Sequence, residues 1–507
     1  MTELNEPTSA TNFDWRTITQ APFDLLVIGG GIVGAGVARD AAQRGLRTLL
    51  VEQHDFASGT SSRSSRLLHG GIRYLAQGRV RLVWEASREK NVVARIAPHL
   101  SAPLAFIFPT RRRTPWKRWK LSIGVWLYDL LCGVRFLGRS GSLNRTKILQ
   151  LLPGLSTTDL TGGVRYFDAL TNDSRLVLDT LRSAAREGAI VRNYVALADA
   201  VRKEDRWVCQ LDDRRDGAQQ AVEARTIVNA TGPWSDRLPN SKTKLRVTKG
   251  VHLVVDARRL NVPDAVVVAD GERILFVIPW GDRVILGTTD TDYQGPLDEP
   301  PCDRADMAYV LEHVNGAFPG VGLQEADVIS VWSGLRPLVA GPSGKPSDIS
   351  RRHEITMSNP AWWDVTGGKL TTYRAMAEET VDVIVKHLDV KAPPCRTGTT
   401  PLLTAEELAW GSGLLPPPVS AELVRHYCRG EWARNLDDVM IRRTSWRHYY
   451  RNHLEIAYEA ARWMAEELAW DERQTEEQLA RYRELTGAVE AAGPRLAASG
   501  AEPQAER

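Results

Sequence analysis

Leu25-Leu26-Val27-Ile28-Gly29-Gly30-Gly31-Ile32-Val33-Gly34 is the stretch that decides the fold. An apolar run of strand length drops straight into three glycines, and Ala35 to Gln43 continues with helical character. A second apolar run, Thr48-Leu49-Leu50-Val51, ends on Glu52. The order is strand, glycine-rich turn, helix, strand, with an acid at the end of the second strand. Gly29, Gly31 and Gly34 supply the G-x-G-x-x-G spacing of a dinucleotide-binding turn. Gly29 allows the tight turn, Gly31 lets the backbone approach a pyrophosphate, and Gly34 lets helix and strand pack closely. The helix N-terminus turns N–H groups toward the anion, and Glu52 is placed to accept the ribose hydroxyls. The pattern specifies a dinucleotide without choosing between NAD and FAD.

The residues after Glu52 make that choice. They run Gly59-Thr60-Ser61-Ser62-Arg63-Ser64-Ser65-Arg66-Leu67-Leu68-His69-Gly70-Gly71-Ile72-Arg73-Tyr74-Leu75. A serine-rich surface loop does not account for two adjacent glycines bracketed by His69 and Arg73. This run resembles the FAD-dependent glycerol-3-phosphate dehydrogenase family, within the glycine and D-amino-acid oxidase superfamily. The resemblance extends from about Phe23 to Tyr482 with the motifs in family order. It implies an α/β plus α+β chain: a Rossmann-like FAD-binding domain, an inserted, mostly antiparallel substrate domain and a C-terminal helical domain. The chain departs from the family pattern in its polar N-terminus, in the loop Lys203 to Gln220 and in the Pro-rich Leu414 to Val419.

Composition sets outer bounds. A chain of 507 residues has room for roughly two or three domains. A net charge of +3 is too small to argue for nucleic acid. The five cysteines are scattered without a C-x-x-C, which suggests neither a metal knuckle nor a disulfide framework and fits a reducing cytosol. The polar, partly acidic lead-in does not read as a signal peptide, and no apolar run reaches the ~20 residues that span a bilayer.

Along the chain, residues 1–22 are expected to be flexible. Segments 23–97, 160–245 and 331–390 are assigned to the FAD-binding domain. Segments 98–159 and 246–330 are assigned to the substrate domain, with 246–330 read as alternating strands. Residues 396–490 form the helical domain, and 491–507 a disordered tail. Ala224 to Gly232, containing Val228-Asn229-Ala230-Thr231-Gly232, reads as a strand entering a turn, of the kind that in FAD proteins sets backbone beside the dinucleotide at Ala230 and Gly232. Trp363 to Arg374 reads as strand, Gly367-Gly368 turn and helix start, a second place for free N–H groups to meet negative charge.

One patch has a different character. Arg111, Arg112, Arg113, Lys117, Arg118 and Lys120 surround Trp116 and Trp119, ahead of an apolar helix from Leu121 to about Leu131. Trp116, Trp119, Ile123, Trp126, Leu127 and Leu130 fall at steps that make one face. Residues 116–131 are thus a candidate contact for an anionic membrane surface. A buried helix with a solvated basic lead-in is the alternative. The resemblance favours the first, implying a peripheral enzyme on the cytoplasmic face of the inner or plasma membrane, otherwise in the cytoplasm, that passes electrons to quinone. A homodimer is one arrangement the sequence allows.

The implied substrate, glycerol 3-phosphate, carries a phosphate dianion and a secondary alcohol. Arg73 and Arg336 are the candidates for the phosphate, because a guanidinium fork is planar and permanently charged. The resemblance places Lys369 in the active site near the flavin. Of the histidines, His69 is the first candidate base and His252 the second. Tyr74, Thr288 and Thr289 are candidate hydrogen-bond partners of the substrate. Gly29, Gly31, Gly34, Glu52, Thr60, Ser61, Ser62, Gly70, Gly71, Ala230, Gly232, Gly367, Gly368 and Lys369 are expected at the cofactor. FAD is expected to be bound noncovalently, and no metal site is expected. The rival readings are an oxygen-using glycerol-3-phosphate oxidase, a related FAD-dependent 2-hydroxy or 2-amino acid oxidoreductase, an NAD-dependent dehydrogenase, and a nonenzymatic flavin-binding sensor.

Overall fold

A computed structural model describes residues 15, 19–72, 75, 78–112, 114–132, 138–271, 273–339 and 353–490. The expected tail, 491–507, and most of the N-terminal lead-in lie outside these residues. Trp15 is an exception: it is buried against Phe23, Leu26 and Trp362, so the lead-in has at least one fixed point.

The first sheet grows from Phe23–Ile28. This strand lies between Thr48–Glu52 and Gln219–Asn229, parallel to both, with Val27 opposite Leu50 and Val228. Ile190–Asn193 and Trp362–Thr366 extend the parallel array on either side. Both faces are covered, which is why the opening strand reads as an unbroken apolar run rather than an alternating one. Leu25 and Val27 pack against the helices Ile32–Gln43, Asp173–Arg186 and Tyr373–Leu388. Leu26 and Ile28 face the opposite way, toward Val195, Trp207 and Leu211 of a three-stranded antiparallel layer. The segment Lys203 to Gln220 contains the middle strand of that layer, Arg206–Asp213, and the turn that joins it to Gln219–Asn229. Tyr194, at φ +59°, separates Ile190–Asn193 from Val195–Lys203.

Among the described residues the second sheet has ten strands and one parallel pair, Ala265–Asp270 with Ala102–Arg111. Its longest ladder joins Leu245–Asp256 to Val328–Val339. Leu160–Leu170 also pairs here, with Ala102–Arg111. This strand, and the residues from 331 onward in Val328–Val339, fall in segments expected in the FAD-binding domain. They extend the second sheet because their backbone ladders continue it. Two helices on this sheet were not foreseen, Arg304–Ala317 and Arg145–Leu151. The first opens with a capping box in which Asp303 and Asp306 each bond the other's backbone. Its inner face adds Met307, Val310 and Val314 to the apolar cluster around Leu253 and Leu286.

The basic, tryptophan-bearing helix spans Arg118–Cys132 on the other face of the second sheet. Leu121, Val125 and Tyr128 are buried inward. Trp119, Ile123, Trp126 and Leu130 are 57–68 % exposed on the opposite side. Trp116 is not part of the exposed stripe. It precedes the helix, packs against Phe108 at 5.4 Å between ring centroids, and donates its indole N–H to Gly271 O. Leu127 is half-buried. The expected helical C-terminal region is present: Ala421–Gly430, His453–Leu468 and Glu472–Glu490 close over Tyr427, Met440 and Trp446. Among the described residues no helix is long and apolar enough to cross a membrane, and no cluster of metal-ligating side chains occurs.

Candidate active site

The glycine turn has no room for side chains. Gly29 sits at φ +109°, and a Cβ there would meet Ala230 O at 2.6 Å. A Cβ at Gly34 would lie 1.9 Å from Gly29 O. The turn, the first helix and the strand end at Asn229 are therefore pressed together, and Ala230 crosses beside the turn. No side chain caps the Ile32–Gln43 helix at Gly31, while the Ile32 N–H donates to Ser61 Oγ at 3.1 Å. Glu52 is fixed by two backbone donors, Gly30 N–H on Oε2 and His54 N–H on Oε1, each at 2.8 Å. Burial pushes its carboxyl above the ordinary range, and those two bonds act against that push. A carboxylate has about four acceptor sites, so capacity remains for hydroxyls.

Gly29, Gly31, Glu52, Thr60 and Ser61 line a cavity of about 440 Å³. Ala230, Gly232, Gly367, Gly368 and Lys369 line the same cavity, and so do His69, His252 and Arg336. These expected cofactor and substrate residues are thus brought to one place. Ser62, Gly34, Gly70 and Gly71 are not on its wall. Gly34 acts by close packing, and Ser62 is buried.

Gly367 and Gly368 both take left-handed backbone, at φ +72° and +78°. They turn the chain from Trp362–Thr366 into a short 3-10 turn, Leu370–Thr372, which runs into the helix Tyr373–Leu388. Lys369 stands at the start of that turn with its ammonium nitrogen shielded from solvent.

Arg336 comes from the Val328–Val339 strand, opposite Thr248. Its guanidinium lies over Gly250, where a Cβ would approach it to 2.4 Å. It donates to Thr288 Oγ1 at 3.1 Å, Thr289 O at 3.3 Å and Asp290 Oδ1 at 3.2 Å. Thr288 and Thr289, the expected hydrogen-bond partners of the substrate, stand behind Arg336 and are not among the residues that line the cavity. The Thr289 hydroxyl accepts from Val251 N–H, and Thr288 braces Arg336.

His252 lies on the adjacent strand, fully buried. Its Nε2 is 2.8 Å from Ser65 Oγ, and its ring stacks on Trp332 at 5.3 Å. Trp332 is held in turn by its indole N–H on Ser64 O. Burial, and then the charges of Arg336 and Arg66, lower the His252 pKa to about 3, so the ring is neutral. Arg66 stacks its guanidinium on Trp280 at 4.3 Å. Ser65 and Arg66 stand in the serine-rich run Gly59 to Leu75, but their roles, like that of Trp332, depend on pairings between distant strands.

His69 reaches the cavity from a turn that is anchored on both sides. Its N–H donates to Thr371 Oγ1 at 3.1 Å. The next N–H, of Gly70, donates to Tyr128 Oη at 2.9 Å and Asp168 Oδ1 at 3.2 Å. Lys90 Nζ bonds the same carboxylate at 2.8 Å, and all three partners are buried. Gly70 is therefore an anchor of the turn, not a wall of the cavity. Arg73 and Tyr74 lie outside the described residues.

Comparison with known proteins agrees with this geometry. The model of the FAD dependent oxidoreductase family, DAO, matches residues 24–382. The chain is 40 % identical over 399 residues to a glycerol-3-phosphate dehydrogenase of Mycobacterium leprae, covering 77 % of this chain and 68 % of the relative. It is 34 % identical to an aerobic glycerol-3-phosphate dehydrogenase of Staphylococcus haemolyticus, covering 76 % and 72 %. The crystal structure of a glycerol-3-phosphate dehydrogenase from Bacillus halodurans complexed with FAD superposes with a TM-score of 0.75 at 30 % identity, covering 93 % of this chain and 96 % of that one. The crowded glycine turn, the buried acid at the end of the second strand and the cavity they share suit the same cofactor. This chain belongs to the FAD-dependent oxidoreductases, in the branch of the glycerol-3-phosphate dehydrogenases.

Proposed function

We propose that this protein oxidises sn-glycerol 3-phosphate to dihydroxyacetone phosphate and passes the electrons to a membrane quinone. The observation that carries this reading is the shared cavity, in which Arg336 and a buried neutral histidine stand with the dinucleotide turn. FAD, when bound noncovalently, supplies the acceptor for a hydride from carbon 2. The protein binds, orients and moves the proton. Arg336 presents a fork to the phosphate from a position braced by Thr288 and Asp290, with Arg73 as its proposed partner. His252 is neutral and ready to accept the hydroxyl proton. A phosphate dianion beside Arg336 would offset one of the two charges that depress its pKa, making it a stronger base when substrate is present. His69, on the same cavity, is the second candidate. Lys369 adds positive charge where negative charge develops during the reaction.

The quinone reading is supported by the surface. Trp119, Ile123, Trp126 and Leu130 form an exposed apolar stripe beside the exposed cations Lys117, Arg118 and Lys120. Such a helix suits the interface of an anionic membrane.

The test is anaerobic: purified protein, flavin absorbance before and after sn-glycerol 3-phosphate. Bleaching with formation of dihydroxyacetone phosphate supports the reading. A yellow protein that does not bleach discards the substrate. Peroxide stoichiometric with aerobic turnover would replace quinone with oxygen as the acceptor.

A further inference from the structure

Glu52 is followed by a short loop, 53–57, which carries one of the two backbone donors that fix the acid and packs on the turn that carries the other. His54 N–H holds Glu52 Oε1. Ala57 N–H donates to Gly30 O at 3.0 Å. Phe56 fills the space beside Gly30, where a Cβ would meet its ring at 2.5 Å. One side of the loop therefore presses on the dinucleotide turn.

Its other side is held by residues almost four hundred positions away. Asp55 is buried and accepts from Arg442 Nε, from both terminal nitrogens of Arg443, and from Asn193 Nδ2 at 2.9 Å. Both arginines lie on a π-helical turn, Asp438–Arg443, in the C-terminal helical region. Arg442 also bonds Asp437 and Asp438, each at 2.6 Å, and Arg443 donates to Glu431 O at 2.6 Å. Asn193 donates to Trp432 O, and the Trp432 ring meets Phe56 edge-on at 5.4 Å between centroids. The two arginines hold the Asp55 carboxyl below its ordinary range despite full burial.

We propose that the C-terminal helical region is part of the cofactor site. Through Arg442, Arg443 and Trp432 it holds Asp55 and Phe56, and so keeps Gly30 and the His54 N–H in place to present the Glu52 carboxylate to the ribose of FAD. These are positioning residues for the cofactor's ADP half. FAD binding and docking of the C-terminal region are then coupled, and the coupling is reciprocal.

The experiment titrates apoprotein with FAD, followed by flavin fluorescence, and with ADP as a competing probe. Asp55→Asn and Arg443→Lys are compared with the unaltered chain, with circular dichroism as the check on folding. The expected result is weaker binding of both FAD and ADP by about tenfold, inside the ~5–150-fold span of typical couplings. Trp432→Phe and Phe56→Leu leave no buried charge unpaired, so they test the same point if the charge variants fail to fold. In the unaltered chain, FAD should slow hydrogen exchange in Asp438–Arg443. Folded variants with lower melting temperatures but FAD affinity within about twofold of the original would make the cluster a stability device only. Exchange at Asp438–Arg443 that does not respond to FAD would overturn the coupling.

Discussion

Replacing Arg336 tests the substrate site most directly. Arg336→Ala removes a guanidinium that is 25 % exposed and is braced by Thr288, Thr289 and Asp290. Hydrogen bonds to charged groups contribute about 1.5–3 kcal/mol each. A fork on a phosphate makes two, and partial solvent screening reduces their sum to about 3–4 kcal/mol. At ~1.4 kcal/mol per decade, kcat/KM for glycerol 3-phosphate should fall by roughly 10²–10³. The cost in stability should be small, about 0–1 kcal/mol, because the Asp290 pair is partly exposed. Arg336→Lys keeps the charge but loses the fork, and should recover only part of the loss. The assay is the rate of flavin reduction in the absence of oxygen, with glycerol as a phosphate-free comparison substrate. The loss should be confined to the phosphorylated substrate. An equal loss for glycerol would refute the assignment of Arg336 to the phosphate, since it would point to a general disturbance of the cavity.

Other outcomes follow from the same geometry. Gly34→Ala places a Cβ against Gly29 O and should give a folded protein with little bound flavin, read from its absorbance after purification. For His252, burial and the charges of Arg336 and Arg66 depress the folded pKa to about 3, below the ordinary 6.5. The unfolded chain therefore binds a proton first, and stability should fall by about 1.4 kcal/mol per pH unit as pH drops from 6.5 toward 3. His252→Asn should remove that part of the acid dependence in denaturant titrations and reduce turnover sharply; unchanged turnover would pass the base role to His69. Trp119→Ser with Trp126→Ser should weaken sedimentation with anionic liposomes at low salt while leaving flavin reduction intact, and unchanged sedimentation would remove the membrane reading alone.

The local parts of this molecule were readable in its sequence because their causes are local. A glycine turn between two apolar strands is specified by steric demands within a few residues, so Gly29, Gly31, Gly34 and Glu52 could be placed directly. The Arg304–Ala317 helix was misread because the surrounding strands alternate. The pair Asp303 and Asp306, three apart, was the cap signal that could have found it. Leu160–Leu170 pairs with Ala102–Arg111 in the second sheet rather than joining the parallel array, a result of strand pairing that periodicity does not encode. Thr288 and Thr289 have the right chemistry for substrate, but the Thr288 hydroxyl accepts from Arg336 and that of Thr289 from Val251 N–H, contacts that only the packed strands create. The contacts of Asp55 with Arg442 and Arg443 span 387 and 388 positions, and nothing near Asp55 announces them.

The Arg118–Cys132 helix answers to two different pressures through its two sides. Trp119, Ile123, Trp126 and Leu130 meet the surroundings, whereas Tyr128 reaches inward to the N–H of Gly70, next to His69. Over evolutionary time the outer positions are free to follow changes in whatever surface the protein meets, at little cost to the chemistry. Tyr128 has no such latitude: Tyr128→Phe should keep the helix folded yet slow flavin reduction by loosening the His69–Gly70 turn. Drift among relatives should therefore appear on this helix with a period of about 3.6 residues, permitted outside and arrested inside.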